Sequence, residues 1–321
     1  MLKIGKLELK NNMILAPMAG VTDLPFRLLC KAQGAGFAYT EMISAKGVHY
    51  KSKNSFELAQ TVPEEQPAGV QLFGSEPAIM AEAAKIFAGS GYPLIDINMG
   101  CPMRKITGNG EGSALMRDPD LIEKIVDAVV NAVDVPVTVK LRRGFDSGHE
   151  TAVECALAAE RGGASAVTVH GRFREEYYSG HSDWSCVARV KAAVKIPVIL
   201  SGDVADRDSA NAAMLASGAD GLMIGRASMG NPWIFRILSG SGGAPDNSER
   251  FSVIKEHLVL LREFKGSQTA ASEFRKHAIW YLKGLRGSAS VRDRICKTED
   301  PAAIAAIINE YFEWLDSPEQ Q

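Results

Sequence analysis

The sequence predicts an α/β fold: a (β/α)8 TIM barrel followed by a small C-terminal α-helical domain. Three observations carry that reading. Eight short apolar, β-branched runs recur along the first 226 residues, helix-length amphipathic stretches separate them, and a chemically capable residue stands where each run stops. Runs apolar throughout suit strands covered on both faces, as in a parallel sheet. An open doubly wound sheet is the rival architecture, but it rarely needs eight units so evenly spaced.

Taken in order, "MILA" (13–16) leads to Pro17 and Met18, "FAYTE" (37–41) ends on Glu41, and "AGVQLF" (68–73) carries Gln71. "LIDIN" (94–98) ends on Asn98 and runs into Cys101, while "VPVTVK" (135–140) ends on Lys140. "AVTVH" (166–170) ends on His170, "PVILS" (197–201) opens Ser201-Gly202-Asp203, and "GLMIG" (221–225) opens Gly225-Arg226. Barrel active sites are built from this end of the strands. The intervening segments carry helix signals. Pro77 falls in the first turn of "PAIMAEAAKIFAGSG", and Asp118 with Pro119 gives an N-cap and first helical residue to "DPDLIEKIVDAVVNAV". "GGASA" and "SGADG" end helices ahead of the sixth and eighth strands.

After the eighth run the composition changes. "LSGSGGAPDNSE" (238–249) reads as a linker, which divides the chain into a catalytic barrel domain, 1–240, and a helical domain, 241–321. Three helix patterns follow: "SVIKEHLVLLREF", "SEFRKHAIWYLKGL" and "PAAIAAIINEYFEWL". In the second, Phe274, Ala278, Tyr281, Leu282 and Leu285 share one apolar face.

Composition narrows the function classes. At 321 residues and 46% hydrophobic, the chain has enough apolar content for a large core, and its net charge of −2 marks neither a bulk nucleic-acid binder nor a membrane protein. "MLKIGKLELKNN" has no apolar segment of the signal-peptide kind, so none is expected. No run approaches the roughly 18 apolar residues of a membrane span. The cysteines at 30, 101, 155, 186 and 296 are odd in number and scattered, which argues against disulfides or zinc and suits a reducing cytoplasm. No His-x-x-x-His pair occurs, so no metal is expected. A cytoplasmic monomer is the expectation.

Cys101 is the sharpest chemical feature. "DINMGCP" (96–102) turns an apolar strand into a Gly-Cys-Pro corner that presents one thiol. With an ordinary pKa of about 8.5 a thiol is mostly protonated at neutral pH and can donate a proton. As a nucleophile it needs a base, for which His170 is the candidate, or cations such as Lys140, Arg104 and Lys105 to lower its pKa. The residues alone leave acid and nucleophile open. The loop that follows, "RKITGNGEGSALMRDP", has glycines at 108, 110 and 112 but not the G-x-G-x-x-G spacing, and reads as a mobile loop over the site. "SGDV" and "GRASMGNP", after the last two strands, place small residues where backbone N–H groups can approach a phosphate, with Arg226 adding a charged fork.

These segments also resemble a known family. "LAPMAGVTDLPFR", "QLFGS", "IDINMGCPMRKITGNGEGSALMRDP", "VTVKLRRG", "VTVHGR", "SGDV", "GLMIGRASMGNPWIF" and "FRKHAIWYLKG" occur in the order seen in tRNA-dihydrouridine synthases, most like the bacterial B-type branch. The resemblance covers nearly the whole chain. It implies an FMN-bound barrel, a helical tRNA-binding domain, and reduction of the C5–C6 double bond of uridine in tRNA by NADPH or NADH. Carried over by motif, Pro17, Met18, Ala19, Gln71, Lys140, Ser201, Gly202, Asp203, Gly225 and Arg226 hold FMN, Asn98 holds the uracil and Cys101 donates the proton. His170, at the same ring of strand ends, is grouped with the cofactor residues. The family usually has Asn where this chain has Ser201, which leaves that contact in question.

Charge adds a surface for RNA. Residues 274–297 hold seven lysines and arginines against one aspartate, a local +6 that leaves −8 for the rest. Arg275, Lys276, Lys283 and Arg286 are the tRNA-contact candidates within it. Lys46, Arg104, Lys105, Arg142, Arg143, Arg172 and Arg174 follow strand ends and suggest a basic rim. Two other functions compete. A small-molecule FMN oxidoreductase, of the dihydroorotate- or ene-reductase kind, would not need the basic tail. A non-catalytic RNA-binding barrel would not need Cys101, Asn98 and Lys140.

Overall fold

The computed structural model describes residues 1–317. A short antiparallel hairpin, β1 (Leu2–Ile4) with β2 (Leu7–Leu9), comes first. Eight parallel strands follow: β3 (Met13–Leu15), β4 (Phe37–Ser44), β5 (Ala68–Phe73), β6 (Ile95–Met99), β7 (Val137–Gly144), β8 (Ala166–Phe173), β9 (Val198–Ser201) and β10 (Gly221–Ile224). They close in sequence order, with β10 hydrogen-bonded back to β3. The expected barrel is therefore observed, and its strands match the eight apolar runs. The hairpin was not foreseen; its strands are only three residues long, below the length at which alternation can be read.

The barrel interior is layered. Ile14, Phe37, Leu94, Ala166, Ile199 and Met223 form one buried cluster with Leu2, Ile4 and Leu9 of the hairpin, which covers the N-terminal end. Tyr39 fills the middle, where an added Cβ on the paired Gly69 would lie 2.8 Å from its ring, so this position has room for glycine only. Side chains alternate along a strand. Counting on by twos from the apolar layer reaches Ala16, Gln71, Asn98, Lys140, His170, Ser201 and Gly225. The floor is thus apolar and packed, and the same strands turn polar at their C-terminal ends, where barrels build sites.

The helix signals resolve as expected at two places: the Asp118 side chain accepts from Leu121 N–H ahead of Pro119, and Gly218 ends the helix Arg207–Ser217 in the left-handed region.

The chain forms two compact units, Met1–Thr22 with Ala35–Gly225, and Asp23–Gly34 with the segment from Arg226 onward. The grouping changes at Gly225, not at the composition break near 240, because Trp233 is fully buried in the helical core. That second unit contains the helices Leu24–Ala32, Ile234–Ser239, Asn247–Lys265, Ser267–Tyr281, Ser288–Cys296 and Pro301–Leu315. Phe274, Ala278, Tyr281 and Leu282 are buried as their shared face requires. The helix Ser288–Cys296 was not anticipated, since its polar sequence lacks an apolar stripe of its own.

A buried histidine pair lies in this unit. The rings of His257 and His277 are 4.4 Å apart, and neither nitrogen of His277 has a hydrogen-bond partner. Burial pulls His257 down to about 4 and holds His277 well below the ordinary histidine value. Both therefore fold neutral. Above about pH 6.5 the neutral form costs nothing; as pH falls toward 4 the unfolded chain takes up protons that the fold excludes, a loss of roughly 3 kcal/mol for His257 alone. The melting temperature should fall over this window. His277→Leu, which sacrifices no hydrogen bond, should flatten the fall in a pH series of thermal melts; an unchanged profile would assign the acid lability elsewhere.

Candidate active site

Cys101 sits on a turn held from three directions. Asn98 Oδ1 accepts from the N–H groups of Gly100 (3.2 Å) and Cys101 (2.9 Å). Ser113 donates to the Cys101 carbonyl through both its N–H (3.1 Å) and its hydroxyl (2.8 Å). The Arg142 guanidinium, almost fully buried, donates to the carbonyls of Gly100 (2.9 Å), Phe173 (2.9 Å) and Tyr177 (3.1 Å), tying the turn to the loop after β8. The segment expected to be a loop over the site contains a helical turn, Arg104–Thr107, and a 3-10 turn, Gly112–Arg117.

Cys101 as a residue is 9% exposed. Burial raises its pKa above the ordinary value, opposed by a hydrogen bond from the Met103 backbone and by the cations of Arg142 and Lys140. A raised pKa favours the protonated thiol, the form that can donate a proton. His170 Nε2 faces Arg172 Nη1 at 3.3 Å, and a guanidinium can only donate, so this nitrogen accepts.

Lys140, half-buried midway along β7, is pulled down to about 8 by burial and by Arg142, against the attraction of Asp96 and Cys101. Its ammonium makes no hydrogen bond or ion pair with the described residues. The hydroxyl of Thr168, paired with Lys140 across β7 and β8, is buried without a partner. Below them runs a relay: Thr138 Oγ1 donates to Asp96 Oδ1 (2.6 Å), Gln71 Nε2 to Asp96 Oδ2 (2.6 Å), and Asn98 Nδ2 to Gln71 Oε1 (2.9 Å).

The remaining expected positions follow the other strands in sequence. Met18 N–H donates to Thr22 Oγ1 (2.8 Å) and Gly20 N–H to Glu41, so the turn Pro17-Met18-Ala19 is held beside β4. Ser201 is buried at the end of β9. Gly202 has φ +112°, and a Cβ there would lie 2.5 Å from Ser182 Oγ and 2.7 Å from His170. The Asp203 carboxylate accepts two hydrogen bonds from buried Arg172 (2.9 and 2.8 Å) and one from Ser182 N–H (2.7 Å), so its side chain braces the loop. At Gly225 a Cβ would come within 3.6 Å of Ala16 and Met18, a close but open surface. Arg226 opens the 3-10 turn Arg226–Ser228.

The basic rim is largely a feature of the linear sequence. Arg142 and Arg172 are buried, Lys46 pairs with Glu76 (2.7 Å), Arg143 with Glu150 (2.7 Å), and Arg174 with Glu175 (3.3 Å). Arg104 and Lys105 are the exposed cations of the seven. In the helical unit Lys283 and Arg286 are exposed, Arg275 and Lys276 half-buried, while Arg294 and Lys297 are paired with Glu310 and Asp293.

Comparison with known proteins matches residues 14–313 to the dihydrouridine synthase (Dus) family model. The chain belongs to the dihydrouridine synthase family. A probable tRNA-dihydrouridine synthase of Rickettsia conorii is 41% identical over 319 residues, 97% of this chain and 96% of that protein. The tRNA-dihydrouridine synthase B of Pseudomonas putida is 41% identical over 316 residues, 97% and 94% of the two chains, in keeping with the B-type resemblance. Morphinone reductase shares the fold, with a TM-score of 0.56 at 14% identity over 77% of this chain and 90% of its own. Membership of the dihydrouridine synthase family implies a flavin. The polar mouth fits one: among the described residues the Lys140 ammonium makes no hydrogen bond or ion pair and the buried Thr168 hydroxyl has no hydrogen-bond partner, while Gly225 presents a small-residue surface. Sequence reasoning missed Asp96, Thr138, Ser113 and the bracing role of Arg142. The first two were detectable, because they lie two residues before Asn98 and Lys140 and so face the same way.

Proposed function

We propose that the chain reduces the C5–C6 double bond of uridine in tRNA to 5,6-dihydrouridine, with FMN as cofactor and NADPH or NADH as reductant, Cys101 acting as general acid. The observation that carries the assignment of Cys101 is its turn just past the end of β6, held by Asn98, with a buried thiol whose pKa burial raises against the charges of Arg142 and Lys140. The full-length relatives named tRNA-dihydrouridine synthase support the substrate.

Bound flavin supplies the hydride that uridine takes at C6. The chain's residues supply the rest. Cys101 gives its proton to C5, and the thiolate left behind is stabilised by the Met103 backbone, Arg142 and Lys140, the same groups that oppose the effect of burial. Asn98 holds the uracil through what its amide has left over from the Cys101 turn. Pro17, Met18, Ala19, Gln71, Lys140, His170, Ser201, Gly202, Asp203, Gly225 and Arg226 hold FMN. The strand-end set at Gly202, Gly225 and Arg226 offers one phosphate site and no separate adenylate fold, which favours FMN over FAD. Arg275, Lys276, Lys283 and Arg286 grip tRNA, whose target base must leave its stack to be reached. No described helix is long and apolar enough to cross a membrane, and we read the chain as a cytoplasmic monomer with separate catalytic and tRNA-binding domains.

The direct test supplies unmodified tRNA and NADPH to the purified protein and measures dihydrouridine in digested tRNA by mass spectrometry. Reductant consumption should depend on tRNA and match the dihydrouridine formed. NADPH oxidation indifferent to tRNA, with no modified base, would reject the assignment.

Ser201→Asn should bind FMN at least as tightly as the parent chain, since it restores the longer donor found in the family. Fluorescence titration of apoprotein decides this; a loss beyond about tenfold, or ~1.4 kcal/mol, would mean that the pocket has adapted to serine.

A further inference from the structure

We propose that Asp96 is a positioning residue for Cys101, acting through a directional amide relay that runs Asp96–Gln71–Asn98 to the backbone of the Cys101 turn. The proposal rests on the reading of Cys101 as the proton donor, but its geometry stands independently.

The direction follows from the two ends. The backbone N–H groups of Gly100 and Cys101 can only donate, so Asn98 must present its oxygen to them, which it does at 3.2 and 2.9 Å. Its amide nitrogen then points to Gln71 Oε1 at 2.9 Å, which leaves Gln71 Nε2 to find an acceptor. Fully buried Asp96 provides it at 2.6 Å, and a carboxylate can only accept. Thr138 takes the other carboxylate oxygen at 2.6 Å. Every link has one orientation consistent with both ends. Burial raises Asp96 only to about 6, because the bonds from Thr138 and Gln71 and the charge of Lys140 oppose it, so the anion persists at pH 7.5. A buried carboxylate is costly unless its acceptor sites are filled; here that requirement locks two side chains of the barrel mouth and, through them, the turn that carries the thiol.

The relay predicts a rescue that no space-filling role for Asp96 would produce. Asn98→Asp keeps an acceptor for the turn but places a carboxylate at each end of Gln71, whose amide can present its nitrogen to only one of them. Adding Asp96→Asn reverses the relay: residue 96 now donates to Gln71 Oε1, Gln71 Nε2 donates to residue 98, and Thr138 still has an oxygen to donate to. Asp96→Asn alone should have little effect, because the Thr138 hydroxyl can turn from donor to acceptor.

Hydrogen exchange of the Gly100 and Cys101 amides, followed by mass spectrometry on the flavin-loaded protein at pH 7.5 without tRNA or reductant, reads the turn directly. Asn98→Asp should speed exchange by about tenfold or more, the cost of a buried bond left unmade. The pair Asp96→Asn/Asn98→Asp should return to within about threefold of the parent chain. If Asn98→Asp does not fold, recovery of a cooperative melting transition in the pair is the same rescue. Exchange in the pair as fast as in Asn98→Asp, or no recovered transition, would overturn the relay. These readings require no turnover, so they stand apart from the Cys101→Ala kinetics that test the proton-donor assignment.

Discussion

Cys101→Ala is expected to slow uridine reduction by roughly 10²–10⁴-fold, the usual contribution of a positioned general acid, while reduction of the bound flavin by NADPH stays close to that of the parent chain. In the proposed reaction the thiol is needed only where a proton must reach C5. The turn should survive the change, because the bonds from Asn98, Ser113 and Arg142 are all to backbone atoms and none uses the sulfur. Anaerobic stopped-flow measurement of the two half-reactions separates the steps. Equal losses in both would make Cys101 a structural residue. Cys101→Ser should also be poor, since an alcohol is a far weaker acid than a thiol.

Neutralising Arg275, Lys276, Lys283 and Arg286 together should weaken tRNA binding by roughly 10²–10³-fold at about 0.1 M salt, with little change in flavin reduction. If on the order of five phosphates are contacted, the parent log–log salt slope should be roughly −3.5 to −4.5, and the variant's should be much flatter. The structure sharpens the choice of residues: Arg294 and Lys297 belong to the same basic stretch but already have acidic partners at 2.6 and 2.7 Å. Binding measured across a salt series decides it. Unchanged affinity and slope would make these four a solvated helix face. Ending the chain near Gly240 is a poorer test, because it strips Asp23 of its ion pair with Lys265 and Phe26 of the rings of His257 and His277.

Much of the site was legible because a barrel strand is read by twos. Once Ile14, Phe37 and Leu94 are taken as inward-facing, Ala16, Gln71, Asn98, Lys140, His170 and Ser201 follow from parity and chain order. The Gly-Cys-Pro corner was equally local, since a thiol between glycine and proline at a strand end needs no distant partner to be noticed. Less was visible where a residue's role depends on what lies across the barrel. Arg142 and Arg172 look like surface cations beside a strand end, yet they are buried and spend their donors on the carbonyls of loops that only the closed fold brings near.

The sequence by itself determined the eight-stranded barrel, the basic helical tail and the identity of the thiol, because each depends on periodicity, composition or neighbours within a few residues. Tertiary structure alone decided the burial of that thiol and the direction of the amide relay beneath it. It also showed that the helix Leu24–Ala32, between the first two barrel strands, belongs with the C-terminal helices. The reason is common to all three. Burial, charge and donor–acceptor matching depend on atoms tens of residues apart in the chain, and only closure of the barrel and packing of the helices set those distances.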